Sequence, residues 1–470
     1  MNWTLAGIAA YILVQLFLGV ALTRRIATEE DYLLAGRRLG PGLGTFTIFA
    51  TWFGAETCIG AAGSVYSAGL AGGSSDPFGY ALCLFLMGAL FAAPLWRRGL
   101  TTLADLIRQR YSEGLERMVV LLAAPGSIIW AGAQIRAFGQ VIAASSEFDV
   151  ELAITAAALV VIAYTVYGGM FADVVTDVVQ GFALILGLGL LLYAVADAHG
   201  GFAALLEPVD PARWAVFPAN GNWLHTLESW AIPVTGSLFA QEVVARVLAS
   251  RSPRVARGAC LLGGALYLAV GLIPVVIGLA GPRLLPGLEQ PEQLLPALAQ
   301  HHLPGILYVL FAGALISAIL STVDSALLAA SALVSHNLVL PLWGDRLPES
   351  AKIRVARSCV AIFGVVAYLL ALSADSVHDM AEQASGFGGA GLFVVVLFAL
   401  LPPLGKAKAA ASALFAGIGT WILGSVVWDW ATPYLASLAA ATVAFVAAGR
   451  WEARGAAEPQ PYFEEQREEA

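Results

Sequence analysis

The sequence predicts an all-α polytopic membrane protein with about thirteen transmembrane helices, and three observations carry that prediction. The apolar set AVILMFWYC makes up 59% of the 470 residues while Asp, Glu, Lys and Arg make up 12%, against roughly 45–50% and 25% in soluble domains. Stretches with almost no charge, such as 3–23, 118–144 and 174–196, are about as long as the ~20 residues a helix needs to cross a ~30 Å hydrocarbon core. Finally, alternating those stretches from one side to the other puts 22 of the 25 Lys and Arg residues on one face, the bias that sets orientation in bilayers.

Taken in chain order, the expected spans lie at roughly 3–23, 42–70, 76–96, 117–146, 151–168, 173–196, 227–250, 256–281, 302–335, 354–374, 380–402, 406–428 and 432–449. The first is too long for a signal-peptide core, and its Arg24 and Arg25 follow it instead of preceding it, so it reads as a true helix. With the N-terminus outside, four basic residues between 24 and 38, five between 97 and 117, four between 246 and 257, four between 346 and 357, two at 406 and 408 and three between 450 and 467 fall inside. Arg213 and Arg283 fall outside, and Arg136 lies within a span. One missed span would invert every later loop, so the asymmetry also supports an odd count. The expected location is the cell (inner) membrane, with the C-terminus cytoplasmic. Residues 1–449 form a single transmembrane domain, and 450–470 an acidic tail.

Two spans look broken. The second carries Trp52-Phe53-Gly54-Ala55 at mid-depth and the seventh carries Pro233-Val234-Thr235-Gly236. Freed backbone groups in a membrane are tolerated only where they are buried in protein or line a cavity. Interrupted helices in corresponding positions of two halves mark the binding region of repeat-built transporters.

Cys58, Cys83, Cys260 and Cys359 sit in apolar runs and read as small core residues. There is no basic patch for nucleic acid, and nothing points to an obligate protein partner. His301 and His302 adjoin the Pro304-Gly305 turn and His336 ends a span, so no metal-ligand or nucleophile spacing argues for an enzyme. A transporter-like membrane sensor stays open as a second reading.

Four motifs carry a resemblance. Asp31-Tyr32-Leu33-Leu34-Ala35-Gly36-Arg37, then Ala50 through Thr57, then Tyr164-Thr165-Val166-Tyr167-Gly168-Gly169 leading to Thr176-Asp177-Val178-Val179-Gln180, and finally Ser321-Thr322-Val323-Asp324-Ser325 follow one another over most of 31–340. In this order and spacing the chain resembles the sodium/solute symporter family, and within it is similar to the high-affinity choline transporter branch. The resemblance implies two inverted five-helix repeats (about 42–196 and 227–402) of the LeuT-like fold, with Na⁺ and solute bound near mid-membrane.

Ala318, Ser321 and Thr322 are spaced i, i+3, i+4, which lays one carbonyl and two hydroxyls along one helix face. Such oxygens suit a small hard cation, or they bond back to their own helix. By resemblance, the carbonyls of Ala50 and Phe53 complete a Na⁺ site. Asp177, Ser321, Asp324 and Ser325 match a possible second Na⁺ site, Asp324 standing where other members carry Ser. Trp52, Tyr80 and Trp130 match three walls of the aromatic cage that choline transporters build around a quaternary ammonium, while the fourth, a Trp there, aligns with Ala240. Glu56, Arg136, Gln241 and Glu242 add polar groups that would hold a zwitterion at both ends, and Glu56 with Arg136 would equally make a structural pair. The expected activity is Na⁺-coupled symport of a small amine-bearing solute, a choline-like cation or an amino acid, with an organic acid or other solute as the alternative.

Overall fold

A computed structural model describes residues 3–22, 26–144, 148–217, 223–343, 347–374, 377–401 and 404–457. Arg24, Arg25, Arg346 and the acidic tail from residue 458, all used in the orientation reading, lie outside the described residues. Among the described residues nine helices are long and apolar enough to cross a membrane. The remaining expected spans fall on α1 (Trp3–Leu22), on helices broken in mid-course and on one helix long enough for two crossings. Lipid-facing side chains such as Phe17, Leu159 and Tyr193 are exposed, which is what a bilayer solvent permits.

The second expected span is α2 (Pro41–Trp52), a break at residues 53–54, a wide turn at Glu56–Gly60 and α3 (Ala61–Ala68). Next come α4 (Ser75–Arg97) and α5 (Glu113–Ala144). α6 (Val150–Ala198) runs 49 residues, more than twice what one crossing needs. Gly169 divides it: its backbone is left-handed (φ 59°), a conformation glycine reaches at no steric cost. A Cβ there would lie 2.8 Å from the Tyr32 ring, so the expected boundary between 168 and 173 is also where the motif helix Glu29–Leu34 docks.

The seventh span breaks as expected into α7 (Trp223–Ala231) and α8 (Gln241–Ala249) around residues 232–240. α9 (Pro253–Leu284), α10 (Gly305–Val334) and α11 (Glu349–Ser373) are continuous. The expected continuous span 380–402 is instead two helices, α12 (Val377–Gly389) and α13 (Leu392–Leu400), separated by Gly391 at φ 81°. α14 (Ala407–Ile422) and α15 (Pro433–Ala457) complete the bundle. α10 is the most enclosed of these: residues 311–333 are all buried, and it packs along α5, α6 and α11. The four cysteines are free and buried.

Candidate ion and solute sites at two broken helices

The last turn of α2 sets the first site. Ala50 and Thr51 carbonyls would ordinarily accept from the amides of Gly54 and Ala55. The Gly54 amide instead bonds the Trp52 carbonyl (3.2 Å), and the Ala55 amide bonds Gln134 Oε1 on α5 (2.9 Å). Two carbonyls at the negative end of the α2 dipole are thereby freed inside the protein. α10 meets them: Ser321 Oγ donates to Ala50 O (2.8 Å) and Thr322 Oγ1 to Thr51 O (3.1 Å), while both hydroxyls also lie 3.0 Å from Ala318 O. Gly54 allows this approach, since a Cβ there would stand 2.9 Å from Gln134 Oε1 and 3.0 Å from Thr322 Oγ1.

Ala318, Ser321 and Thr322 thus share one face as their spacing expected, and Ala50, named by the resemblance, meets them with Thr51 added. Phe53 caps α2 and enters none of these four bonds. Two hydroxyls and three carbonyls are hard donors that fit a Na⁺-like cation, the ligand type such ions prefer.

The residues matched to a second Na⁺ site are engaged differently. Arg246, fully buried on α8, lies among them: its Nη2 donates to Asp173 and to Ser325 Oγ and stands 3.9 Å from Asp177. Asp177 accepts from Thr47 (2.5 Å), and Asp324 turns to Thr165 (2.5 Å). A fixed guanidinium therefore sits where the sequence suggested a second ion, among three buried carboxylates of which Asp173 Oδ1, Asp177 Oδ1 and Asp324 Oδ2 keep no hydrogen-bond partner among the described residues. Arg246 was expected in an inner loop and Asp173 was not singled out. The i, i+4 spacing of Asp173 and Asp177, and an Arg flanked by Val243, Val244, Val247 and Leu248, were the available signals.

Beside the Na⁺-like site is a cavity of about 80 Å³ whose lining includes Thr51, Trp52, Ser127, Trp130, Gln241 and Glu242. It is reached by α2, α5, the α7–α8 break, α10 and α12 together. Tyr80 is not among its walls. It packs edge-on behind Trp52 and Trp130 (centroids 6.5 and 6.3 Å away), and its hydroxyl donates to Glu56 (3.2 Å). Glu56 is thereby held behind the aromatic wall.

Arg136 is not in this cavity either. Six residues past Trp130 is about 9 Å along a helix, which puts Arg136 on a separate cavity of about 1130 Å³ with Asp149, Glu289 and Glu292. There it donates to the Ala371 carbonyl (3.1 Å). The expected zwitterion clamp and the alternative Glu56–Arg136 pair are both replaced by these partners. Glu242 lies in the wall next to Ser127, and Ala240, at the aligned fourth cage position, leaves that wall open.

Solved structures share this architecture. A Na⁺-coupled sialic acid symporter, solved substrate-bound and outward-open, superposes with a TM-score of 0.83 at 17% identity, covering 97% of this chain and 98% of that one. Mhp1, a nucleobase-cation-symport-1 family transporter in a closed conformation with bromovinylhydantoin bound, gives 0.62 at 16% identity over 90% and 94%. The fold is the LeuT-like one, two inverted five-helix repeats with broken helices.

Among curated proteins, the high-affinity choline transporter 1 of Drosophila melanogaster is 27% identical over 79% of this chain and 61% of its own length. That of Homo sapiens is 28% identical over 75% and 63%. The chain therefore spans under two thirds of the length of these relatives. The sodium/pantothenate symporter of Escherichia coli (strain K12) is 25% identical over 87% and 88%. The model of the sodium:solute symporter family matches residues 32–417, and this multi-pass membrane protein belongs to that family.

Proposed function

We propose that the protein is a Na⁺-coupled symporter that imports a small amine-bearing organic solute by alternating access. The observation that carries the reading is the set of hydroxyl-to-carbonyl contacts joining Ser321 and Thr322 to the end of α2, one residue from the Trp52 wall of the solute cavity. An ion held by Ala50, Thr51, Ala318, Ser321 and Thr322 bridges a broken helix to α10 and favours the state in which both face it. Solute bound against Trp52 and Thr322 then senses the ion through shared residues. Arg246 places one fixed positive charge among the three carboxylates of the neighbouring cluster, and the reading rests on the one Na⁺ held at the α2 end.

One Na⁺ moving down ~100 mV contributes about 2.3 kcal/mol, and a tenfold gradient about 1.4 more. Together these suffice to concentrate a neutral solute about several hundredfold. Choline, named for the first relatives, carries a positive charge, and pantothenate, named for another, is an anion. The cavity, with one carboxylate and no basic lining residue among those described, favours the former chemistry over an organic acid.

The test is a Na⁺ titration of thermal stability in purified Ser321→Ala/Thr322→Ala protein. Removing two of five oxygens should raise the half-maximal Na⁺ concentration at least about tenfold, with solute affinity falling chiefly at low Na⁺, because linked affinities are reciprocal. An unchanged Na⁺ dependence would move the coupling ion elsewhere.

A further inference from the structure

Resting on the symporter reading, we propose that Glu242 is the counter-charge for the solute and that the site takes a protonated amine bearing N–H groups and a neutral acceptor, as in an amino alcohol. Glu242 is the ionisable group among the described lining residues; Lys, Arg, His and Asp are absent from that wall. Its backbone starts α8 directly after the break, so its side chain is carried into the cavity from a fixed helix end. It is nine-tenths buried, and a carboxylate at this depth calls for a cation as partner.

A quaternary ammonium donates no hydrogen bond and relies on aromatic faces. Two of the aligned cage positions, Trp52 and Trp130, line the cavity; Tyr80 stands behind them and the fourth position is Ala240. Phe239 and Phe393 also line the cavity, and the carboxylate set among these rings suits an ammonium with protons to give. Charge-assisted N–H bonds to Glu242, with the Ser127 hydroxyl beside it, add to the aromatic contacts what a quaternary ammonium cannot make.

Two residues of the lining carry unpaired donors. Trp52 Nε1 and Gln241 Nε2 are buried and have no hydrogen-bond partner, although Gln241 Oε1 is fixed by the Leu103 amide (2.8 Å). Buried donors ordinarily find an acceptor. A hydroxyl, ether or amide oxygen supplies one. A carboxylate would bring a second negative charge near Glu242 with neutral donors alone to hold it, since Arg136 is on the other cavity. The volume of about 80 Å³ admits about five to eight water-sized groups, room enough for a small amino alcohol.

The experiment is thermal-shift binding to purified full-length protein in Na⁺ buffer with four probes: ethanolamine, ethylamine, choline and serine. Ethanolamine should bind best. Glu242→Gln should weaken it about tenfold or more, and Glu242→Asp should restore most of the loss. Trp52→Phe keeps a ring and removes the N–H, so it should weaken ethanolamine more than ethylamine, which lacks the hydroxyl. Serine binding as tightly as ethanolamine, choline binding more tightly, unaltered ethanolamine affinity in Glu242→Gln, or no response to any amine would each overturn the assignment. Stabilisation by Na⁺ alone, measured in the same samples, reports on the coupling site and on the folding of each variant, so the symporter reading stands or falls separately.

Discussion

Arg246 keeps a full charge out of water because Asp173, Ser325, Thr47 and the Glu242 carbonyl surround it. Removing one partner of a buried ion pair typically costs about 3–5 kcal/mol, since the remaining charge is stranded. Arg246→Met should therefore lower unfolding free energy by about that amount in detergent, and Arg246→Lys should recover little of it, because an ammonium lacks the planar fork that reaches two acceptors. Wild-type stability in the Met variant would show the cluster to be protonated and self-sufficient. Gly54→Ala tests the other site: its methyl would press Thr322 Oγ1 and Gln134 Oε1 apart, so the protein should fold while needing severalfold more Na⁺ for half-maximal stabilisation. Much of the ion site was legible in the sequence, since i, i+3, i+4 spacing is a helical property. Thr51 was not, because which carbonyls are free depends on where α2 stops and where Gln134 reaches. Nor was the Arg246 pairing, whose partners lie 73 and 79 positions away along the chain.

At the level of elements, glycines decide where helices change direction. Gly169 separates two crossings, and its backbone at φ 59°, ψ 177° costs a non-glycine residue about 1–3 kcal/mol. Gly169→Ala should lose at least that in an unfolding titration, since its methyl also meets the Tyr32 ring at 2.8 Å. Gly168→Ala, whose nearest neighbour would be Ala172 Cβ at 3.4 Å, should be nearly neutral. Equal losses for both would remove the handedness argument. The α2 and α7–α8 breaks were readable because Gly or Pro stands beside polar residues in an apolar run. The α12–α13 break was not, although Gly388-Gly389-Ala390-Gly391 contains its cause: glycine is common in membrane helices, and that a Cβ on Gly391, at φ 81°, would stand 3.1 and 3.2 Å from the Leu414 and Ala413 carbonyls is known only from the fold.

For the whole molecule, the large cavity bordered by Asp149, Glu289 and Glu292 and the Arg-rich loops lie at opposite ends of the bundle in the expected topology. The charge bias predicts that the Arg-rich end is cytoplasmic. A reporter fused after Ala470 should be active only in the cytoplasm, and periplasmic activity would reverse the arrangement. A carrier of this kind must also make half of every cycle with nothing aboard. The protons that Ser321 and Thr322 place on the α2 carbonyls hold the same gap an ion would, so the unloaded journey has its own defined geometry instead of a loose one. Stripping both hydroxyls should accordingly slow net uptake more than one-for-one exchange of solute across the membrane, because exchange skips the empty leg.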